Sequence, residues 1–362
     1  MPDATMPVAR DLFGTLPDGR AVERVVLRDV SGFEAHIVTY GATLQALLVP
    51  DARGDRDDVV LGHDDLAGYV RARGFFGATV GRYANRIANA RFVLEGEVVQ
   101  LAANDGAHAL HGGLDGFDRR LWRIAEIENG AQPGVTLAYV SAEGEEGYPG
   151  RLDVRVSYRL TGPSELSISF TARADRPTIV NLTNHSFFNL EGAASRVDIL
   201  DHRLTVAADR FLAIDPDAIP LPGPPQTVAG TPFDFRSASA IGARIRDDDA
   251  QVRHGRGYDH NFCLNSTGEV RFAARLETPR SGRILELLTD QPGLQVYSGN
   301  YLDGSIQGKR GRLYRQSDAV CLEPQIWPNA PNRPDFPDPR LVPGGVYRHR
   351  SVYRFFSAGQ VR

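Results

Sequence analysis

The stretch LDVRVSYRL at residues 152–160 alternates apolar and polar side chains without a break, and ELSISFTA at 165–172 repeats the pattern. The apolar positions are Leu152, Val154, Val156, Tyr158 and Leu160 in the first stretch and Leu166, Ile168 and Phe170 in the second. A period of two is that of a β-strand with one buried face. Because Thr-Gly-Pro at 161–163 lies between the two runs, the sequence predicts an antiparallel hairpin packed on a core.

The same alternation recurs along most of the chain. RFVLEGEVVQL at 91–101 predicts a second hairpin that turns at Glu95-Gly96. Further strands are predicted at 23–29, 35–39, 43–49, 120–127, 135–141, 203–207, 283–288, 294–298, 319–323 and 346–356. Short helices are predicted at 64–72 and 237–245. So many strands between Gly, Pro and Asp turns favour an all-β fold of antiparallel sheets packed face to face.

The organisation of the 362 residues favours one large β domain spanning 1–362, because no Gly/Ser linker or internal repeat divides them. Two Pro-rich stretches, 218–235 and 327–339, are too apolar and too short for disordered tails. We expect them to be ordered loops that cover one end of the sandwich.

Composition excludes several classes of function. A formal charge of −4 is unfavourable for a nucleic-acid surface. Lys309 is the only lysine, so Schiff-base chemistry would depend on it, and Arg310 after it rules out a phosphate loop. MPDATMPVAR lacks a secretory apolar segment and no run is long enough to cross a membrane, so we expect a cytoplasmic protein. We expect Cys263 and Cys321, both inside apolar runs, to be buried free thiols.

The stretch TIVNLTNHSFFNL at 178–190 is unusual for a β-prone run, because it carries three asparagines around His185. Asparagine amides compete with backbone hydrogen bonds and are normally rare in strands. We therefore expect the amides of Asn181, Asn184 and Asn189 to orient His185 and a small hydroxyl-rich ligand. The phenylalanines at 187 and 188 would anchor the segment in the core.

Other polar candidates lie in short stretches that flank strands, as expected for a binding face built from loops. Asn85 and Arg86 concentrate hydrogen-bonding groups at one point, although Arg86 is equally consistent with an ordinary ion pair. His111 precedes two glycines that would let a ligand approach the backbone. Asp259 is suited either to capping a turn or to binding a hydroxyl. Glu323 follows the apolar run Ala-Val-Cys-Leu, and burial there would raise its pKa toward the working range of a base.

A metal site is a weaker alternative. His108 and His111, with Asp115 or Asp118, offer ligand types, but they lie in a Gly-rich segment without regular spacing. No G-x-S-x-G, G-x-G-x-x-G or H-E-x-x-H motif is present. What remains is a histidine and glutamate pair, amides and a guanidinium, with Trp122, Tyr297 and Trp327 as candidate stacking surfaces. We therefore expect proton transfer on a carbohydrate with no cofactor and no metal.

Taken together, GRYANRI, LHGG, NLTNHSFFNL, GYDHNF, GLQVYSGNY and LEPQ resemble the aldose 1-epimerase (galactose mutarotase) family, in the right order from about residue 10 to 357. The resemblance implies a β-supersandwich and anomer interconversion of a free hexose of the glucose or galactose class. It implies that His185 is the catalytic acid and Glu323 the base, with His111 supporting developing negative charge. It assigns sugar binding to Asn85, Arg86, Asp259 and Gln295. The turn Ile-Pro-Leu-Pro-Gly at 219–223 departs from the family, as does the absence of a Tyr near Trp327.

Two alternatives remain at this point. A glycoside hydrolase or lyase on a similar sandwich would use two carboxylates, for which Glu323 and Asp259 are candidates. A non-catalytic sugar-binding protein would keep the fold and lose the chemistry, although the acid and base candidates are both present. The expected partner is a monosaccharide, and the chain is expected to be a monomer or homodimer.

Overall fold

The computed structural model describes residues 8–266 and 268–357, which form antiparallel strands joined by loops. The strands of the first part are β1 Ala9–Thr15, β2 Ala21–Arg28, β3 Glu34–Val38, β4 Thr43–Pro50, β5 Arg56–Asp58, β6 Thr79–Val80, β7 Arg86–Ile87, β8 Arg91–Leu94, β9 Glu97–Gln100 and β10 Ala109–Leu110. Those of the middle part are β11 Arg123–Glu128, β12 Gly134–Ser141, β13 Leu152–Gly162, β14 Glu165–Ala174, β15 Thr178–Ile179, β16 Thr183–Asn184, β17 Phe187–Phe188, β18 Arg203–Val206, β19 Arg210–Phe211, β20 Gln226–Thr227 and β21 Ser239–Ala240. The remaining strands are β22 Asp259–Cys263, β23 Arg271–Glu277, β24 Arg283–Thr289, β25 Gly293–Tyr297, β26 Asp303–Gln307, β27 Leu313–Arg315, β28 Val320–Gln325, β29 Arg340–Leu341 and β30 Tyr347–Ser357.

Helices are short. They are α1 Leu66–Arg71 and α2 Ala250–Gly255, with 3₁₀ turns at Ala88–Ala90, Phe117–Arg119, Glu145–Gly147, Ile241–Ala243, Lys309–Gly311 and Ala330–Asn332. Within the described residues, no helix combines the length and apolar character needed to cross a bilayer.

Three sheets carry the architecture. The largest has nine strands in the order β11-β12-β13-β14-β30-β24-β23-β18-β21, and the second has six in the order β17-β28-β25-β22-β19-β20. β1 to β5 form a five-stranded meander, and the pairs β7/β10, β15/β29, β6/β16, β26/β27 and β8/β9 complete the fold. One apolar cluster contains residues of all three large sheets, so their inner faces share a core. Phe188 of the six-stranded sheet meets Tyr353 of the nine-stranded sheet with ring centroids 5.7 Å apart.

The hairpin predicted at 152–172 is confirmed as β13 and β14, in the middle of the nine-stranded sheet. Its eight predicted inward side chains are each at most 1% exposed, while the alternate residues, apart from the buried Ser167, face outward or are partly covered. Burying an aliphatic or aromatic side chain contributes roughly 1.5–3 kcal/mol. The alternation therefore identified a hairpin that anchors the main core.

The second hairpin is confirmed as β8 and β9, with Glu95 and Gly96 both at positive φ as a two-residue type I′ turn requires. Each of the other predicted strands overlaps an observed one, whereas β1, β22, β23 and β26, among the strands of five or more residues, and most of the shorter strands were missed. The helix predicted at 64–72 is observed as α1, where the side chain of Asp65 caps the backbone N–H of Gly68. The all-β fold class is confirmed.

The helix predicted at 237–245 is wrong. Ser239–Ala240 form β21, which pairs with β18, and Ile241–Ala243 make a single 3₁₀ turn. Pairing with a strand edge outweighs weak helical periodicity here. The helix in this region is α2, which begins after Asp249, whose side chain accepts hydrogen bonds from the backbone N–H groups of Gln251 and Val252.

The six-stranded sheet has two different faces, because successive side chains of a strand point to opposite sides. Even-numbered residues of β17, β28, β25 and β22 form its core face and belong mainly to the apolar core; they include Phe188, Phe262, Leu294, Val296, Val320 and Leu322. Odd-numbered residues form the opposite face, which we call the site face: Phe187, Asp259, Asn261, Cys263, Gly293, Gln295, Tyr297, Cys321, Glu323 and Gln325.

Candidate active site

A cleft of about 290 Å³ lies over the site face. It is lined by the seven residues to which the resemblance assigned catalysis or sugar binding: Asn85, Arg86, His111, His185, Asp259, Gln295 and Glu323. Its size is at the lower end of the range for small-ligand pockets. The fold therefore brings together side chains that are separated by up to 238 positions, from 85 to 323.

The strand register places the central residues. Gln295 of β25 is paired with Glu323 of β28 on one side and with Asn261 of β22 on the other. Phe187 of β17 is paired with Cys321, so His185, two residues earlier in the chain, lies beside Glu323. Side chains fixed on neighbouring strands are positioned more precisely than side chains on loops.

Glu323 is 2% exposed, and its Oε2 has no hydrogen-bond partner among the described residues. Burial raises the pKa of the Glu323 carboxyl well above its usual value, and the nearby Asp259 adds to the rise. The expected direction of this shift is thus observed. Its cause is desolvation, which disfavours the charged form.

His185 lies 3.7 Å from Glu323, measured between Nε2 and Oε1. Its ring is stacked between those of Phe187 and Phe75, with centroids 5.0 and 5.8 Å away. Burial lowers the pKa of His185 to about 4, opposed in part by a hydrogen bond to its own backbone. The surrounding apolar rings thus disfavour the imidazolium form of His185 in the free protein.

Burial acts in opposite directions on the pKa values of these two groups. With the pKa of Glu323 raised and that of His185 lowered, a proton shared by the pair is favoured on Glu323 over His185 in the free protein. A pair with one proton contains one acid and one base whichever group carries it. This is the arrangement needed for moving a proton onto one oxygen and off another.

His111 is held in one tautomer. The backbone N–H of Asn85 donates to its Nδ1 at 3.2 Å, so that nitrogen carries no proton and Nε2–H is the donor. Burial lowers the pKa of His111 well below its usual value, and His185, Arg86 and Arg73 add to the effect. Its ring lies 5.2 Å from that of His185. A neutral donor at this point can support an oxygen that gains negative charge.

Asn85 and Arg86 reach the cleft from a loop joined to His111 by the short pair β7/β10. Arg86 Nε donates to Asp105 at 2.7 Å. Burial acts to lower the pKa of Arg86, but the carboxylates of Asp259 and Asp105 outweigh it and the pKa is raised. The guanidinium is therefore charged and oriented.

Asp259 accepts a hydrogen bond from Gln295 Nε2 at 2.7 Å on the site face. Burial raises the pKa of Asp259, while Arg86 and this hydrogen bond oppose the rise. Its role as a simple turn cap is excluded, because it lies within β22 and borders the cleft.

The three asparagines around His185 do not face the cleft, and the expectation that they orient a ligand is wrong. Asn181 donates to the carbonyls of Ala84 and Ile326, Asn184 to that of Gly77, and Asn189 to those of Val197 and Asp318. They satisfy buried backbone groups of the irregular segment, which has only very short strands there. Phe188 lies in the core as expected, whereas Phe187 borders the cleft.

The two glycines after His111 have close contacts with other parts of the chain. A Cβ on Gly112 would lie 1.8 Å from the carbonyl oxygen of Gly81, and one on Gly113 would lie 2.3 Å from Glu146 Oε2. Both have positive φ. They are required for close packing of the loop and not for the approach of a ligand.

Of the three aromatic candidates, Tyr297 lines the cleft. Trp122 is 1% exposed in the main core, so its assignment to the site is wrong. Trp327 packs on Phe336 and donates to the carbonyl of Pro292, away from the cleft lining. Phe75 and Tyr301 provide the aromatic walls instead, and both were missed. The tight Gly-Phe-Phe-Gly run at 74–77, with Phe75 at positive φ, was an available signal.

The metal alternative around His108 is not supported by the positions of its residues. Asp118 pairs with Arg73, Asp115 with Arg119, and His108 accepts from the backbone of Asn89. Within the described part of the chain, the residues close enough to ligate an ion are His185, Cys321 and Glu323, whose ligand atoms lie within 4.8 Å of one another. Burial raises the pKa of the Cys321 thiol well above its usual value, so the thiolate needed for ligation is disfavoured.

Other sequence expectations can be placed as well. Cys263 and Cys321 are free and buried, as predicted. Lys309 is buried and donates to Asp58 at 2.5 Å and to the carbonyls of Gln45 and Val60. Because it is fully occupied and outside the cleft lining, Schiff-base chemistry has no lysine to use there.

An antiparallel β-sandwich with a small cleft, a buried glutamate–histidine pair and a surrounding set of amide, carboxylate and guanidinium groups is typical of an enzyme that moves protons on a sugar. The comparisons with known proteins identify which one. The profile of the aldose 1-epimerase family matches residues 23–354, and the chain belongs to that family.

Individual relatives cover nearly the whole chain. The chain is 46% identical to the galactose mutarotase of Rattus norvegicus over 349 residues, 96% of this chain and 98% of the relative. It is 39% identical to the aldose 1-epimerase of Escherichia coli K12 over 344 residues, 94% of this chain and 97% of the relative.

Solved structures show the same fold. A galactose 1-epimerase from Lactobacillus acidophilus aligns with a TM-score of 0.86 at 28% identity, covering 98% of this chain and 99% of that one. A GalM/aldose epimerase homologue from C. elegans aligns with a TM-score of 0.84 at 30% identity, covering 92% and 99%. The mutarotase-like β-supersandwich is thereby confirmed.

Family membership makes the chain an isomerase that interconverts the α and β anomers of hexoses. Neither the hydrolase or lyase alternative nor the non-catalytic alternative is favoured by any of these comparisons.

Proposed function

We propose that Glu323 and His185 carry out the proton transfers of the anomer interconversion, Glu323 as base and His185 as acid. The observation that carries the proposal is the buried pair itself, with Nε2 and Oε1 3.7 Å apart on the lining of the cleft. Opening the ring of a hemiacetal requires one group to accept a proton and another to donate one.

The steps balance within this pair. The anomeric hydroxyl gives its proton to the Glu323 carboxylate as the bond between the anomeric carbon and the ring oxygen breaks, and His185 gives a proton to the ring oxygen. The aldehyde then turns about its bond to the neighbouring carbon. On closure the ring oxygen attacks the other face and returns its proton to His185, while Glu323 returns its proton to the new anomeric hydroxyl.

Sugar binding prepares the pair for these roles. A hydroxyl that donates to Glu323 favours its carboxylate form, and a ring oxygen that accepts from His185 favours the imidazolium. Both effects move the shared proton from Glu323, where burial places it, to His185. The substrate therefore helps to create the acid and base that act on it.

The surrounding residues bind the sugar in this proposal. Asn85, Arg86, Asp259 and Gln295 contact the hydroxyls, and the Nε2–H of His111 supports negative charge on an oxygen. No step requires a metal or a redox cofactor, since the pair supplies both proton transfers.

The preferred substrates are proposed to be galactose and glucose, because the similar proteins are named galactose mutarotase and aldose 1-epimerase. We accordingly propose a role in hexose metabolism.

We further propose a single domain, supported by the apolar cluster that joins the three large sheets, and a cytoplasmic location, supported by the two free buried thiols. The formal charge of −4 supports the absence of a nucleic-acid partner. The active species is proposed to be a monomer or homodimer.

Polarimetry tests the proposal. Freshly dissolved α-D-galactose and α-D-glucose should reach anomeric equilibrium faster with the protein than without it, in the presence of a chelator. The control is Glu323→Gln protein at the same concentration, which should leave the uncatalysed rate unchanged. Equal rates with wild type and Glu323→Gln, or loss of activity with chelator and its return with a divalent ion, would contradict the assignment.

A further inference from the structure

Two buried amides next to the Glu323 carboxyl have no hydrogen-bond partner within residues 8–266 and 268–357. Asn261 and Gln325 are 2% and 0% exposed. Neither the nitrogen nor the oxygen of either amide makes a hydrogen bond to any residue in the described ranges. A buried polar group without a partner costs about 1–3 kcal/mol, and natural structures rarely leave several together. These four atoms therefore require an explanation.

Their positions relate them to the active site. Asn261 is paired with Gln295, which is paired with Glu323, and Gln325 lies two residues from Glu323 on the same strand and the same face. Gln295 Oε1 and Glu323 Oε2 are also buried without partners. Gln295 and Glu323 line the cleft, whereas Asn261 and Gln325 do not. The two amides thus lie beside the cleft, on the same face of the sheet that forms its floor.

Gly293 allows Asn261 to lean towards Gln325. A Cβ at position 293 would lie 2.5 Å from Asn261 Oδ1 and 2.8 Å from Trp327 Cδ1. Gly293 is also the register partner of Gln325. The amide of Asn261 therefore crosses the glycine under the cover of Trp327, toward the strand that holds Gln325 and Glu323.

We propose that Asn261 and Gln325 hold ordered water against Oε2 of Glu323 and act as positioning residues that supply the carboxylate with hydrogen bonds. The inference rests on the proposed role of Glu323 as the base. An amide both donates and accepts, as a bridging water requires, and buried waters typically make about three hydrogen bonds to such groups.

The arrangement addresses a problem set by burial. A carboxyl surrounded by apolar groups remains protonated and is a poor base, and hydrogen bonds donated to the charged form reverse this. Burial does raise the pKa of Glu323, and no cation contacts its carboxylate among the described residues. Hydrogen-bond donors outside the cleft lining therefore favour the carboxylate form of Glu323 and leave the cleft free for the sugar.

The test compares Asn261→Leu and Gln325→Met, which keep the approximate size and remove the amide. The basic limb of the kcat/KM–pH profile, which reports Glu323 because its pKa in the free protein is raised while that of His185 is lowered, should move to higher pH by about one unit in each variant, the effect of losing one hydrogen bond to a charged group. KM should change little, because neither residue borders the cleft. Gly293→Ala should give the same shift although both amides remain, since the new Cβ displaces Asn261.

Infrared difference spectroscopy of the folded proteins, with Glu323→Gln as the reference, should show the same upward shift in the titration of the Glu323 carboxyl without substrate. The matched control is Gln45→Met. Gln45 is another buried glutamine with an unpartnered Oε1, and it lies in β4 away from the cleft. Gln45→Met should alter stability and leave both the kcat/KM–pH profile and the infrared titration of Glu323 unchanged.

Unchanged titration in the three site variants would overturn the inference, and so would a raised KM with an unmoved basic limb, which would mean that the amides bind the sugar. If Glu323→Gln proved fully active, the proposed role of Glu323 would fail, yet the infrared titration would still report the effect of the amides. If Asn261→Leu does not fold, Gln325→Met and Gly293→Ala decide the outcome.

Discussion

The two faces of the six-stranded sheet are formed by the same strands, yet they bury opposite kinds of side chain. The core face presents residues such as Leu294 and Leu322 to a shared apolar cluster. The site face buries Glu323, Gln295 and Asn261 at similar depth, with polar atoms that lack partners in the described chain. One face therefore stabilises the fold, and the other uses part of that stability to hold groups in unfavourable surroundings.

The difference explains how chemistry is built on a sandwich. A pleated strand fixes its two faces with equal precision, so the apolar residues that lock Leu322 in place also lock its neighbour Glu323. Substitutions on the site face should accordingly change rate more than stability. Those on the core face should do the reverse.

The largest effect is expected for the proton-transfer pair. Glu323→Gln keeps the shape and removes the base, and His185→Asn keeps a donor and removes the titrating ring. Each should lower kcat by at least about 100-fold, since a positioned acid or base contributes about 10²–10⁴-fold. The double variant should be only slightly slower than either single one, because the two groups act as a unit.

Polarimetric initial rates give kcat for the two single variants and the double variant, and circular dichroism confirms that each is folded. KM should move little, since sugar binding is assigned to other residues. Near-normal rates in folded Glu323→Gln would remove Glu323 as the base and direct attention to Asp259.

The corresponding substitution on the core face is Leu322→Ala, one residue before Glu323 on the same strand. Removing a buried leucine side chain should lower the free energy of unfolding by about 2–5 kcal/mol. The value of kcat per folded molecule should stay near that of wild type. Urea unfolding and rates measured well below the unfolding midpoint provide both numbers, and a large fall in kcat would show that the two faces are not independent.

The core face was more predictable than the site face. Alternation identified β13, β14 and most long strands because one covered and one exposed side produce a regular local pattern. β22 was missed because four of its five residues are buried and the two faces look alike in sequence. Its core side carries a histidine, His260, whose ring packs on Phe233.

The site was predictable in its residue types and in the resemblance they carry, but not in its contacts. Whether Asn184 faces a ligand or a buried carbonyl depends on which distant strand lies beside it, and local sequence does not contain that information. The same holds for Phe75, which walls the cleft beside His185. His254 of α2 likewise meets a distant segment, because its Nδ1 donates to the carbonyl of Ile214.

A smaller effect is expected for the loop wall that faces the sheet. Arg86→Lys retains the charge and loses the planar fork that meets Asp105. We expect kcat/KM to fall about tenfold, mainly through KM, which corresponds to one hydrogen bond to a charged group. Arg340→Lys is the matched control, an exposed arginine paired with Asp338, and should be neutral. If Arg86→Lys had the same kcat/KM as Arg340→Lys, the side chain of Arg86 would have no part in binding the sugar.

The smallest effect concerns the stability of Glu323→Gln relative to wild type, which should differ at high pH and not at low pH. The pKa of Glu323 is raised in the folded protein by burial, whereas the unfolded chain has the ordinary value of 4.5. Above pH 4.5 the unfolded chain therefore releases a proton that the folded chain retains. The contribution of this group to stability is full below pH 4.5 and is lost as pH rises toward the folded pKa.

Glu323→Gln removes this loss, so the variant that is nearly inactive should be more stable than wild type at pH 8, by about 1–3 kcal/mol if the cost is that of one poorly solvated buried group. At pH 4 the two proteins should have nearly equal stability, because wild-type Glu323 is neutral in both states.

His185 has the complementary dependence: burial lowers its pKa to about 4, so both proteins lose stability as pH falls from about 6.5 to 4. Urea midpoints at pH 4, 6 and 8 separate the two groups, since only the Glu323 effect appears as a difference between variant and wild type. A stability difference that is the same at all three pH values would show that the site face carries no electrostatic strain at Glu323, and the contrast between the two faces would then be one of shape alone.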